Sequence, residues 1–483
     1  MSRGLCELSI VELSALIQSK QVSPVEVTAE VVERIRERNL CLNAFVTVTA
    51  ELAEEQARAA EQEILRGNYR GPLHGVPVAV KDMMYTRGVR TTAGSKILAE
   101  FVPDSDATVV ARLRQAGAVL VGKTALHEFA YGITNDNPHY GPTRNPWNRE
   151  RSSGGSSGGS GVAVAAGMSF AALGTDTGGS IRIPASFCGV AGLKPTFGRV
   201  SLHGILPLGY TLDHAGPLAR TVEDVSLVYQ AIAGFDPNDK YSADCSVGEI
   251  RLHTLFPNVS LPGRGRESVV RVGVPKDYFF DSLQPDVERL VRQAIRVLEK
   301  LGARVIPVEF PGMADLTAAS RTSLLVEAAA VHRKNLETHS GDFGADVKTL
   351  LEKGREVSAA EYVDAQLTRR RFSRQFERLF QQVDLLVTPA TPLTAFPVGE
   401  TKVVFGEKGK EREEDTRAAA TRLLRAFNAS GHPALSVCCG FDGHELPVGL
   451  QIVGRLFEEA AVLQCGHAYE QATDWHQRKP PKP

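Results

Sequence analysis

No apolar run in this sequence approaches the length of a membrane span, and MSRGLCELSIVELSAL at the N-terminus lacks the basic segment and unbroken apolar core of a secretory signal. Neither a bilayer nor an export route is expected. Cysteine is scarce: Cys6, Cys41, Cys188, Cys245, Cys438, Cys439 and Cys465 are odd in number, scattered and without CxxC pairs. That excludes a disulfide framework and predicts reduced thiols in a cytosolic protein. The 12 histidines form no HExxH, and the adjacent His127 and Glu128 read as a polar pair on a helix surface, so no metal and no other cofactor is expected. Charge of one sign is missing too, since 55 Lys and Arg against 56 Asp and Glu leave a net charge of −1. Such a balance offers no footprint for nucleic acid or an anionic membrane. What is left is a globular composition, 43% hydrophobic and 23% charged, suited to a small-molecule substrate.

Helix and strand patterns alternate along the whole chain. SPVEVTAEVVERIRERN offers Ser23 as a cap and Pro24 at the first helical position, within a region over 1–66 that reads as helical. HGVPVAVKD reads as a buried strand delivering Lys81 and Asp82 at its C-terminal end. SDATVVARLRQAG reads as a helix stopped by Gly117, and AVLVG as a strand. VERLVRQAIRVLEKLGARVIPV repeats that order, with Val287, Leu290, Val291, Ala294, Val297, Leu298 and Leu301 as its buried stripe. DLLVTPATP, ALSVCCGF and PVGLQIVG add late strands, and the charge run GEKGKEREEDTR reads as a solvated loop or helix start. With no linker-like gap between them, the expectation is one large α/β domain over 1–483. Its parts are the helical region 1–66, a core over 67–230, a mostly helical region over 231–380, and strands and a helix of the same sheet over 381–475.

Two glycine-rich stretches invite misreading. GAVLVGKT, 117–124, fits the phosphate-loop pattern, which would make the protein a nucleotide hydrolase. Here, however, a helix precedes Gly117 and the variable positions are themselves strand, leaving no open loop and making Lys123 an ordinary strand-end lysine. RSSGGSSGGSG, 151–161, looks like a tether, yet it runs straight into the small-residue helix VAVAAG. Its glycines read instead as close-approach residues, and with GTDTGGSIRIP they form two serine-bearing loops expected to converge at the two ends of that helix. Neither loop contains a histidine, although the remote His74 and His214 stay open as bases. The other candidate is Lys81, whose burial would favour a neutral amine; its alternative is an ion pair with Asp82.

PLHGVPVAVKD, GPTRNPWNRERSSGGSSGGS and ALGTDTGGSIRIPASFCGVAGLKPTFGRVS closely resemble the amidase signature family. PVGLQIVGRLFEEAAVLQCGHAYE is similar to that family's C-terminal strand and helix, so the likeness covers nearly the whole chain. The resemblance implies a central mixed β-sheet flanked by helices and hydrolysis of a linear amide through an acyl-serine intermediate. Carried over by motif, the nucleophile is Ser180 of GGSIR, the bridging serine is Ser156 of GGSSGG, preceded by a cis peptide, and the base is Lys81 of VKD. Backbone N–H groups of Thr177, Gly178, Gly179 and Ser180 would form the oxyanion hole. Asp176 and Arg182 would brace that loop as a partly buried ion pair, Ser157 would hydrogen-bond in the relay or pack the loop, and Cys188 would be a small buried residue.

Two assemblies fit the resemblance. One is a stand-alone amidase, also open to esters or carbamates. The other is the glutamine-hydrolysing component of a tRNA-dependent amidotransferase. Against the second, the stretch TRLLRAFNASGHP places Thr421 where such a component offers an Asp for the glutamine amino group. Arg369 to Arg371 are the candidates for its carboxylate. A stand-alone amidase is the expectation. Tyr131, Thr134 and Asn135, with the helical region 310–370, are the expected pocket, and an apolar or aromatic acyl group the expected guest. The oligomeric state is open, a homodimer included.

Overall fold

The computed structural model describes residues 4–252, 269–406, 409 and 411–482. Their main sheet has eleven strands in chain order: β1 (Phe45–Val48), β2 (Pro77–Lys81), β3 (Val119–Thr124), β4 (Ala171–Thr175), β5 (Ala191–Lys194), β6 (Ala215–Ala219), β7 (Arg271–Pro275), β8 (Arg304–Val308), β9 (Leu385–Pro389), β10 (Ala434–Phe441) and β11 (Pro447–Val453). Across the sheet they run β1-β3-β2-β4-β6-β5-β10-β11-β9-β7-β8. The sheet is mixed: β3-β2-β4 and β9-β7-β8 are parallel, and the strands between them pair antiparallel.

Helices form where the sequence carries caps and an apolar stripe. Ser23 accepts from the backbone of its own first turn in a capping box, and Pro24 opens the helix Pro24–Leu42. In the helix Pro285–Lys300, Val287, Leu290, Val291, Ala294 and Leu298 are buried, while Val297 and Leu301 at the stripe's edge are half-buried. Part of GEKGKEREEDTR lies outside the described residues, as do residues 1–3 of the N-terminal stretch. The rest of that run is a strand, Arg412–Asp415, paired with Lys402–Phe405, followed by a helix from Thr416.

The core decides two sequence readings. Gly117, at φ +80°, follows the helix Thr108–Gln115, and Val119–Thr124 is a fully buried strand, so the nucleotide-hydrolase reading has no loop to stand on. Lys123 is buried against Met84 O (2.5 Å) and Thr91 Oγ1 (2.7 Å), with Asp82 at 3.7 Å. That leaves Asp82 committed to Lys123 and Thr92, and Lys81 outside the pair. His127 and Glu128 are not on a helix surface. Both are buried: His127 Nε2 lies 2.8 Å from Asp346, and Glu128 accepts from Ser95 and Gly344 N and lies 2.9 Å from His139. Two adjacent polar side chains read as a solvent face when their partners lie far along the chain.

Candidate active site

Parallel pairing of β2 with β4 sets Val80 opposite Leu173, so both strands bring their C-terminal ends to one edge of the sheet. Lys81 and Thr175 meet there. Lys81 is fully buried, and its Nζ lies 2.8 Å from Ser156 Oγ, 2.9 Å from Ser157 Oγ and 2.8 Å from Thr175 Oγ1. Burial drives its pKa down to about 7, against the opposing pull of the negative charges of Asp176 and Asp213. An appreciable share of the amine is therefore neutral near neutral pH.

The Ser/Gly stretch is not a tether. The Gly155–Ser156 peptide is cis, Ser156 and Ser157 are buried, and the helix Gly158–Ala165 follows at once. A β-carbon on Gly159 would collide with the backbone of Ala44 and Ala125, which is why that position carries no side chain. The two serine loops meet at one end of this helix rather than at its two ends, because β4 carries the chain back alongside it. Ser160 Oγ bonds Leu173 O (2.9 Å), Ser157 Oγ bonds Thr175 O (3.1 Å), and Ser157 N bonds Ser180 O (3.2 Å). Ser180 Oγ makes no hydrogen bond among the described residues, and the residue keeps 5% exposure in an otherwise closed loop.

Asp176 holds the Ser180 loop from beneath. Its carboxylate accepts from Gly179 N (2.8 Å), Ile181 N (3.1 Å), Arg182 Nε and Nη2 (both 2.9 Å) and Asn428 Nδ2 (2.8 Å). Burial pushes this acid upward, but the Arg182 guanidinium overcomes it and holds the carboxyl well below the usual range. The ion pair is wholly buried rather than partly so, and Arg182 continues to Gln451 Oε1 (2.7 Å) and Asn428 Oδ1 (2.7 Å). Arg182→Met is expected to lower stability by about 3–5 kcal/mol by stranding the carboxylate, read as a shift in the urea midpoint. Gly179 differs from its expected role: its N–H is taken by Asp176, leaving Thr177, Gly178 and Ser180 with N–H groups that bond no described residue. Cys188 is buried and burial raises its thiol pKa, so Cys188→Ala is expected to leave turnover within about twofold of the parent in a steady-state assay.

His74 and His214 make no hydrogen bond to Ser156 or Ser180. His74 accepts from Arg70 N, and burial holds His214 well below its ordinary pKa, its Nδ1 lying 2.7 Å from Leu212 O. Tyr131 lines a cavity of about 370 Å³ beside the Ser180 loop. Thr134 and Asn135 instead back the loop of Ser156: Asn135 Oδ1 accepts from Gly158 N (3.3 Å), and a β-carbon on Gly155 would press on the amides of both residues. Arg369 turns away to Thr211 and the Ala429 carbonyl, while Arg370 and Arg371 are exposed. Sequence reasoning missed Thr175, which sits in a plain strand end, and Arg425, a cavity residue with no motif around it. The cavity is not the expected apolar or aromatic chamber, since Arg321, Arg417 and Arg425 share its lining with Leu324, Leu325 and Leu350.

The profile of the family described as Amidase matches residues 26–463. The chain belongs to the amidase signature family. Amidase-signature relatives match it end to end. The glutamyl-tRNA(Gln) amidotransferase component of that family from Carboxydothermus hydrogenoformans is 41% identical over 497 residues, covering 98% of this chain and 99% of that protein. Among solved structures, a vestigial protein complex described as revealing the origins of an s-triazine catabolic enzyme superposes with TM-score 0.88 at 35% identity, covering 96% and 98% of the two chains. A bacterial aryl acylamidase of the amidase signature family superposes with TM-score 0.86 at 28% identity, covering 97% of each. As an amidase signature enzyme the protein is a hydrolase of amide carbon–nitrogen bonds. No helix among the described residues is long and apolar enough to cross a membrane, and no group of three or more His, Cys, Asp or Glu among them could hold a metal ion.

Proposed function

We propose that the chain hydrolyses a small-molecule amide through an acyl-Ser180 intermediate, with Lys81 as base and Ser156 carrying protons between them. The supporting observation is the hydroxyl cradle around Lys81. A neutral amine has two N–H groups and one lone pair. Ser157 Oγ gives its hydrogen to Thr175 O, so it accepts from Lys81. Thr175 Oγ1 has Met83 Sδ as an acceptor at 3.4 Å, so it too accepts from Lys81. The lone pair is left for the proton of Ser156.

Ser156 then gives its proton to Lys81 and takes that of Ser180, whose oxygen bonds the carbonyl carbon as the π pair moves to oxygen. The N–H groups of Thr177, Gly178 and Ser180 stabilise that oxyanion, about 3 kcal/mol for each well-aimed donor. Collapse breaks the C–N bond, and the leaving nitrogen receives the proton back from Lys81 through Ser156. Water repeats the route on the acyl-Ser180 ester and releases the carboxylic acid. Esters and carbamates fit the same path.

The second reading, the glutamine-hydrolysing component of an amidotransferase, rests on the relatives of that name matched end to end, which support it at least as well as a stand-alone enzyme. Thr421 lines the cavity without a carboxylate of its own, which supports the stand-alone reading. Ammonia release by the purified chain from an aryl amide and from glutamine separates the two. Aryl amide turnover by the chain alone is the stand-alone result, and hydrolysis of glutamine that rises with an added partner is the amidotransferase result. Neither reaction, with no covalent trapping of Ser180, would contradict both.

A further inference from the structure

Arg425 lies in the short helix Arg425–Ala429 and is 8% exposed. Its Nε bonds Thr421 Oγ1 at 2.9 Å, but Nη1 is buried with no hydrogen-bond partner among the described residues. An arginine that gives up solvent without an acceptor loses several hydrogen bonds, a cost that a bound anion would offset. Burial, then the nearby Arg417 and Arg321, bring its pKa down to about 10, so it remains cationic at neutral pH.

The guanidinium is also beside the chemistry. A β-carbon on Gly178 would come within 3.2 Å of Arg425 Nη1, so the cation touches the loop that carries Ser180. The same guanidinium borders the cavity of about 370 Å³. The other charges there are differently placed. Arg417 faces Asp346 at 3.6 Å and covers the Tyr131 ring, Arg422 donates to the carbonyls of Tyr278, Asp281 and Ser282, and Arg321 stands exposed. Of the two carboxylates in the lining, Glu414 faces Arg412 at 3.7 Å and Asp415 caps the following helix at Ala418 N. The cavity thus offers an unpaired guanidinium and lacks an uncommitted carboxylate.

Building on the acyl-Ser180 reading, we infer that the substrate is an anionic amide, its acyl part bearing a carboxylate that Arg425 binds next to the scissile carbonyl, and bearing no ammonium group. Arg425 is a specificity residue: it accepts no proton and forms no bond to the acyl carbon. A fork of N–H donors matches a carboxylate, and the leucines of the wall suit the short carbon chain between the two carbonyl groups. Arg321 at the exposed wall adds to the positive field that a carboxylate would meet on entry.

Binding to the Ser180→Ala protein tests this without turnover. The probes are the monoamides of malonic, succinic and glutaric acids, their neutral diamides, and glutamine, which is the glutaric monoamide with an added ammonium group. Calorimetry is expected to show at least one monoamide binding about 100-fold more tightly than its diamide, with glutaric monoamide ahead of glutamine. Arg425→Leu on the same background should close the monoamide–diamide gap, and Arg425→Lys should restore part of it. Trapping of Ser180 by a neutral fluorophosphonate in the single variants reports an intact site. Diamides binding as well as monoamides, a gap that survives Arg425→Leu, or glutamine binding ahead of glutaric monoamide overturns the inference. The acyl-Ser180 reading fails separately, if the parent protein is not trapped at Ser180.

Discussion

Ser180→Ala is expected to lower kcat on the order of 10⁶-fold, the scale seen when a hydrolase loses its nucleophile. The fold should hardly notice. Ser180 Oγ makes no hydrogen bond among the described residues, while the loop is held by Asp176, Arg182 and Asn428, so removing one oxygen strands nothing. Stability is expected to stay within about 0.5 kcal/mol of the parent, the range of substitutions that touch no buried partner. A steady-state rate beside a urea melt separates the two quantities. Loss of rate with an unchanged melt is the expected pair, and a variant that keeps a tenth or so of its activity would remove Ser180 from the nucleophile's role.

Lys81→Met should cost kcat/KM about 10⁴-fold, the upper range for general base catalysis. Methionine keeps most of the apolar stem and lacks the lone pair. The sign of the pH effect follows from which form works. Only the neutral amine accepts a proton, and burial has brought the pKa down to about 7, so parent activity should rise as pH increases through about 7 and level off above it. Below that point it should fall about tenfold per pH unit, because a single protonation stops the relay. In Lys81→Met this limb should vanish. An acidic limb that persists unchanged in the variant would assign the titration to another group.

The catalytic loops were readable in sequence because VPVAVKD, GGSSGG and GGSIR carry local pattern: a strand end, glycines that admit close approach, and serines within them. Much of the sheet that aligns them was not. AALGT, AGLK and AGPLA become β4, β5 and β6 although they contain few β-branched residues, because each is buried between neighbouring strands and tertiary pairing outweighs intrinsic preference. Thr175 gave no signal for the same reason: its role depends on the register of β2 against β4. Arg425 was hidden differently. In TRLLRAFN it looks like one more solvated arginine of a helix, and only the folded chain sets it against Gly178. Arg369 to Arg371 show the converse, a conspicuous cluster whose side chains lie outside the cavity lining.

The most direct measurement is the rate of Ser180 labelling by a neutral fluorophosphonate as a function of pH, with the modified residue located by peptide mass spectrometry. Transfer of the hydroxyl proton through Ser156 to an uncharged Lys81 predicts label on Ser180, a rate that climbs with one deprotonation near pH 7, and loss of that climb in Ser156→Ala. Label on another side chain, or a rate that stays flat between about pH 5 and pH 9, would contradict it.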